Sequence, residues 1–139
     1  MQPQIARYQN VQIQTGSPGE ILVALYDALF RFLAVARHSL QNKKIGPGAE
    51  AISKAYAIVS EFYMTLDHTK YPELCANLER IYDFAMTRLT HANLKRDAKA
   101  VEDVIRVLTP VREAFIAVVK QEAAAAASAQ AKAAAPAGR

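Results

Sequence analysis

Ser17-Pro18-Gly19-Glu20-Ile21-Leu22-Val23-Ala24-Leu25-Tyr26-Asp27-Ala28-Leu29 carries the signals that start an amphipathic helix. Ser17 suits the N-cap, Pro18 the first helical position and Glu20 the third. Together they spell a capping box, in which Ser17 and Glu20 satisfy orphan amides reciprocally. Apolar residues then recur at helical spacing: Leu22, Leu25, Leu29, Leu33, Ala36 and Leu40. A second row of Ile21, Ala24, Ala28 and Phe32 lies beside them. The helix should end near Asn42.

Downstream, Ile45-Gly46-Pro47-Gly48 reads as a turn, because glycine and proline cluster there. A second helix is expected over residues 49–66. Its buried row is Ile52, Tyr56, Val59, Tyr63 and Leu66, with Ala55 and Phe62 adjoining. Aromatic residues lie on more than one side of it, which exceeds the needs of one core face. Pro72 suits the first turn of a third helix running to about Asn93, with a stripe of Leu74, Leu78, Ile81, Ala85, Leu89 and Ala92. Asp97 caps a fourth, whose apolar face is Val101, Val104, Ile105, Leu108, Val111, Phe115 and Val118. Pro110 interrupts it, so a kink or a break near Thr109 is expected.

Upstream, residues 1–16 form a polar arm with isolated apolar side chains at Ile5, Tyr8, Val11 and Ile13. Such an arm needs a surface to dock on. From Ala123 the chain is alanine-rich and has no face to bury, so residues 123–139 are expected to be a disordered tail after a turn or two of extra helix. The connections are short, so neighbouring helices should be antiparallel. The expected fold is all-α: an up-down four-helix bundle over residues 17–122, in one domain.

Composition agrees. The chain has 139 residues, of which 52% are hydrophobic, much of that share alanine, with only 5 Gly and 6 Pro. Alanine is the best intrinsic helix former. The single cysteine, Cys75, excludes an intramolecular disulfide and points to a reducing compartment. No secretory signal is expected, and no apolar run is long enough to span a membrane. A cytoplasmic protein without direct membrane insertion follows. Net charge is +4. The basic residues are scattered, and the densest pairs, Lys43-Lys44 and Lys95-Arg96, fall at helix junctions, where solvated ends are the simple reading.

No catalytic pattern stands out. A di-iron bundle needs Glu-x-x-His pairs. Here Val35 stands three residues before His38, Thr65 before His68 and Arg88 before His91. His38 and His91 then read as exposed helical residues. Cys75 has no adjacent base, and His68 lies across a loop from it. Gly46-Pro47-Gly48 lacks the lysine and spacing of a phosphate loop. Glu61 and Asp67 are not at a same-face helical spacing. Arg80, Arg88, Lys95 and Lys99 form no basic stripe, since Glu79 and Asp83 intervene. Neither an enzyme, a cofactor, a metal site nor a nucleic-acid partner is expected.

These segments resemble the FliS family of flagellar export chaperones, over about residues 5–120. Ile5 and Tyr8, Val11, Thr15-x-Ser17-Pro18 and Ile21-Leu22-x-x-Leu25-Tyr26-Asp27 are similar to the family's opening. Asn77-Leu78-x-x-Ile81-Tyr82-Asp83-Phe84 and Leu89-x-x-Ala92-Asn93-Leu94-x-x-Asp97 are similar to its third-helix pattern in order and spacing. The chain departs from that pattern where a Gly-Gly pair is usual, at His68-Thr69, and at Ala28, Ala85 and Phe115.

The resemblance implies a chaperone that binds the disordered C-terminal segment of flagellin, prevents premature polymerisation and delivers it to the flagellar export gate protein. It implies that the arm lies over the client groove when no client is present, and that Ile5 and Tyr8 also serve gate docking. Partner contact is expected at Ile5, Tyr8, Val11, Tyr26, Ile52, Tyr56, Val59, Phe62, Ile81, Tyr82, Leu89, Asn93 and Leu108. A client-free homodimer is an open alternative. The competing reading is a non-catalytic helical adaptor or oligomerisation module, which would show a self-complementary interface and no client.

Overall fold

Four helices account for nearly all of the described chain: α1 Pro18–Gln41, α2 Ile45–Met64, α3 Pro72–Lys95 and α4 Ala98–Ala134. The structure is a computed structural model and describes residues 17–134. The arm, with Ile5, Tyr8, Val11 and Ile13, lies outside the described residues, as do residues 135–139. Among the described residues there is no strand. Helix α1 packs on α2 and α4, and α3 packs on the same two, which closes a four-membered ring. With connections this short, successive helices run antiparallel, and the bundle is the one expected.

The start of α1 follows its capping sequence. The Ser17 hydroxyl oxygen accepts from the Glu20 N–H at 3.2 Å. The Glu20 carboxylate turns to the Ser17 hydroxyl, at 3.5 Å. Asp97 caps α4 as expected, accepting from the Lys99 N–H at 3.0 Å.

Three boundaries differ from expectation. Ile45-Gly46-Pro47-Gly48 is the first turn of α2 and not a loop. Pro47 fits because amides in a first turn have no intrahelical acceptor to lose. Gly48 is buried, and a Cβ there would lie 3.2 Å from Leu40 Cδ2. Its glycine therefore serves a close helix–helix approach. Second, the break near Thr109 does not occur, and α4 continues through Pro110. The Thr109 hydroxyl donates to the Ile105 carbonyl at 2.6 Å beside the proline. Third, α4 is helical through Ala134, where only a turn or two of helix was expected beyond Ala123. Adding residues to an existing helix carries no nucleation cost, and alanine propagates it well. Residues 121–134 are exposed throughout.

The core is built from aliphatic rows with alanines between them. Leu25, Leu29 and Leu33 face Val59, Leu78, Leu89, Val101, Val104 and Leu108. Ala28, Ala36, Ala55, Ala85, Ala92 and Ala100 are fully buried and let the helix backbones approach. The expected row on α2 holds in part: Ile52 and Val59 are buried together with Ala51, Ala55, Ile58 and Phe62, while Tyr63 and Leu66 are half-buried and Tyr56 is 40% exposed. On α3, Leu74 is exposed, and Cys75 and Tyr82 are buried in its place.

One aromatic cluster draws on all four helices. Tyr26 of α1 stacks on Phe62 of α2 with centroids 4.6 Å apart, and lies 5.6 Å from Phe115 of α4. Phe62 in turn lies 5.8 Å from Tyr82 of α3. The Tyr26 and Tyr82 hydroxyls share a buried hydrogen bond of 2.5 Å across the diagonal of the ring. Burial pushes both phenols above their ordinary value, so both stay neutral.

Removing one hydroxyl strands the other. Tyr26→Phe or Tyr82→Phe alone should each cost about 1–3 kcal/mol in urea denaturation, and the double variant less than their sum. Additive losses would show that the two hydroxyls do not depend on each other. Deleting residues 125–139 should change stability by less than about 0.5 kcal/mol, because the described part of that span, residues 125–134, is exposed helix. A larger loss would show that the extension packs on the bundle.

Candidate functional site

Two clefts flank α3. Between α2 and α3, Ile52 and Leu89 form a buried floor, and Tyr56, Ala57 and Leu94 form walls. Ser53, Thr90 and Asn93 give this cleft a polar rim, and its volume is 350 Å³. Between α3 and α4, Ile81, Phe84 and Val107 line a second cleft of 520 Å³, with Asn77 and Arg80 at its edge. Arg80 donates to the Asn77 side-chain oxygen, which holds that rim in place.

Large apolar side chains stand exposed at both clefts. Leu94 is 75% exposed and Phe84 40%, in addition to Tyr56. Scattered exposed apolar residues are ordinary, but groups of them in concave surfaces mark binding sites. Amphipathic segments bind in such grooves by inserting side chains at helical spacing.

The walls are held by charge pairs between helices. Arg88 of α3 pairs with Asp103 of α4 at 3.0 Å, and Arg106 pairs with the same carboxylate at 2.7 Å. Arg106's hydrogen bond, followed by the interaction with Arg88, holds Asp103 below the usual carboxylate range. On the far side of α4, Arg112 pairs with Asp27 of α1 and lies 5.3 Å over the Phe30 ring.

The expected partner-contact residues divide into three sets. Ile52, Tyr56, Leu89 and Asn93 come together at the α2–α3 cleft, and Ile81 lines the α3–α4 cleft. Tyr26, Val59, Phe62, Tyr82 and Leu108 are core residues in this state. Their apolar or aromatic bulk is used to join the helices, so they offer no surface to a partner. Ile5, Tyr8 and Val11 lie outside the described residues. Sequence reasoning missed Phe84, Leu94 and Val107 as lining residues. Phe84 and Leu94 fall off the buried stripe of α3, and that mismatch was the available signal.

Among the described residues, no group of three or more His, Cys, Asp or Glu side chains is placed to hold a metal ion. Cys75 is buried and its Sγ donates to the Asp67 carbonyl at 3.2 Å. His38 is exposed, whereas His91 is half-buried and lies 3.4 Å from the Asp97 carboxylate. No helix of the described residues is long and apolar enough to cross a membrane.

Residues 1–122 match the family model described as "Flagellar protein FliS". The chain belongs to the FliS family. It is 30% identical over 115 residues to the flagellar secretion chaperone FliS of Bacillus subtilis (strain 168), which covers 83% of this chain and 85% of that one. It is 34% identical over 104 residues to the flagellar secretion chaperone FliS of Salmonella typhimurium, covering 74% of this chain and 77% of that one. The fold is shared with a structure titled "Crystal structure of flagellar chaperone from bacteria", at a TM-score of 0.69 and 18% identity. That likeness covers 86% of this chain and 99% of the other. The FliS family match stops at residue 122, so the alanine-rich end of α4 lies beyond it.

Asp103 yields a test with a definite sign. Its carboxyl is held low in the folded state, so its contribution to stability is present above the unfolded value and lost as pH falls through the folded one. Asp103→Asn should therefore be less stable than the parent at neutral pH. The gap should close on acidification below about pH 4. A gap independent of pH would mean that the charge of Asp103 plays no part.

Proposed function

We propose that this FliS family member is a cytoplasmic chaperone that binds the disordered C-terminal segment of flagellin, prevents its premature polymerisation and hands it to the flagellar export gate. The observation that carries this reading is the pair of apolar clefts flanking α3. A disordered client brings apolar side chains of its own, and burying them offsets the ordering entropy lost on binding. The α2–α3 cleft, with Ile52, Tyr56, Leu89 and Asn93, receives one helical piece of the client. The α3–α4 cleft around Ile81 and Phe84 receives another.

Ile5, Tyr8 and Val11 belong to the arm, which covers the apolar surface until a client displaces it. Ile5 and Tyr8 also serve docking at the gate. The role needs no catalytic group, and the relatives are named as chaperones. Binding and release by burial alone are sufficient for it.

Isothermal titration calorimetry against a peptide of the flagellin C-terminal segment tests the reading. One-to-one saturation with a negative heat-capacity change is expected. Tyr56→Asp puts a charge into the α2–α3 cleft at a partly exposed position, so it should leave helical circular dichroism intact. Affinity should fall at least about tenfold, the loss that follows from forfeiting one buried aromatic contact. Unchanged affinity in that variant would remove the α2–α3 cleft from the binding surface. Absence of binding by the folded parent protein would favour the adaptor reading, and sedimentation equilibrium would then look for self-association.

A further inference from the structure

The α1–α2 and α3–α4 turns lie far apart in sequence, yet the up-down topology brings both to the same end of the bundle. Lys43-Lys44 and Lys95-Arg96 therefore share one end. Lys43 and Arg96 line a single concavity there, of 330 Å³, whose apolar part comes from Leu40 and Ile45. Ile45 is 46% exposed. Neither Lys43 nor Arg96 forms an ion pair among the described residues.

The backbone at these two positions is unusual in the same way at both. Lys43 has φ 59° and Arg96 φ 53°, the two non-glycine residues with positive φ among the described residues. Each sits where a helix terminates. Lys44 N–H bonds to the Ser39 carbonyl at 2.7 Å, and Asp97 N–H to the Ala92 carbonyl at 3.1 Å. These bonds close a Schellman ending, in which glycine is the favoured left-handed residue. A long cation at both positions is thus the less stable choice for folding alone.

We propose that this basic end is a docking pocket for an acidic peptide segment in which a carboxylate adjoins a large apolar side chain. The apolar side chain sits on Leu40 and Ile45, and the carboxylates meet Lys43 and Arg96. The concave, partly apolar form suits a side chain better than a flat lipid surface. A second copy of the same end is disfavoured, since like charges would face each other. The pocket lies outside the two clefts assigned to the flagellin segment, so its fate is separable from theirs.

Fluorescence anisotropy with a labelled peptide of alternating Glu and Leu, set against its Gln and Leu counterpart, tests this. The acidic peptide should bind more tightly, and added salt should erase the difference. The double variant Lys43→Gly, Arg96→Gly should bind the acidic peptide about fivefold more weakly or worse, as expected for two exposed charge pairs. Its melting temperature should rise, because glycine relieves both left-handed positions. Weaker binding by a more stable protein cannot be a folding defect. Equal affinity for the two peptides would overturn the proposal, and so would unchanged binding by the double variant. Equal binding of both peptides together with sedimentation on vesicles rich in anionic lipid, lost in the double variant, would assign the end to a membrane surface instead.

Discussion

The hydrogen bond between the Tyr26 and Tyr82 hydroxyls is the constraint on which the bundle depends. Helices in a ring pack on their neighbours through interchangeable apolar contacts, which tolerate sliding and rotation. A buried polar pair does not, because a shift that parts the hydroxyls leaves both desolvated and unsatisfied. Here the pair spans α1 and α3, which face each other across the ring. Phe62 and Phe115 pack around Tyr26 from the remaining two helices. The register of all four helices is therefore referred to one point.

That register decides what reaches the surface. With Tyr82 turned inward, Ile81 and Phe84 fall on the α4 side of α3, and Leu94 falls on its α2 side. With Phe62 and Ile58 inward, Tyr56 is turned out to face Leu94. The two clefts thus follow from the same rotation of each helix that builds the aromatic cluster. The Arg88–Asp103–Arg106 group then ties α3 to α4 next to the Val107 wall.

The helices and their order were legible in the sequence because capping residues and period-3.6 apolar rows are local signals. Their rotations were less so. On α2 the inward face takes Ile52 and Val59 from the expected row and Ala51, Ala55, Ile58 and Phe62 from beside it, and alanine carries little weight in a search for apolar residues. What turns Ala51 and Ala55 inward and Tyr56 outward is the close helix approach that alanine permits, a tertiary condition with no local trace. Gly48 misled for a related reason. Glycine marks turns and close approaches alike, and only Leu40 across the junction shows which applies. Of the cleft residues, Tyr56 was legible as an aromatic surplus to one core face, whereas Ile81 lies on the expected apolar stripe of α3 and was reached only through the family resemblance. Tyr26 and Tyr82 were expected at the partner surface because both fall within the motifs that resemble the family, and the hydroxyl mate of each lies on another helix, where no local signal shows it.

The two ends of the bundle are physically unlike, and this asymmetry was hidden in a modest net charge. The α2–α3 connection at one end contains Asp67, His68 and Lys70, which nearly cancel, and Asp67 is engaged by Thr69. The opposite end gathers Lys43, Lys44, Lys95 and Arg96 against Asp97, which is occupied in capping α4. Read along the chain, these are two ordinary basic pairs at helix C-termini, where the helix dipole welcomes them. Up-down topology converts them into one field. The concavity at that end, lined by Leu40, Lys43, Ile45 and Arg96, shares no residue with the α2–α3 cleft, so charge and apolar surface are laid out in separate places on the bundle.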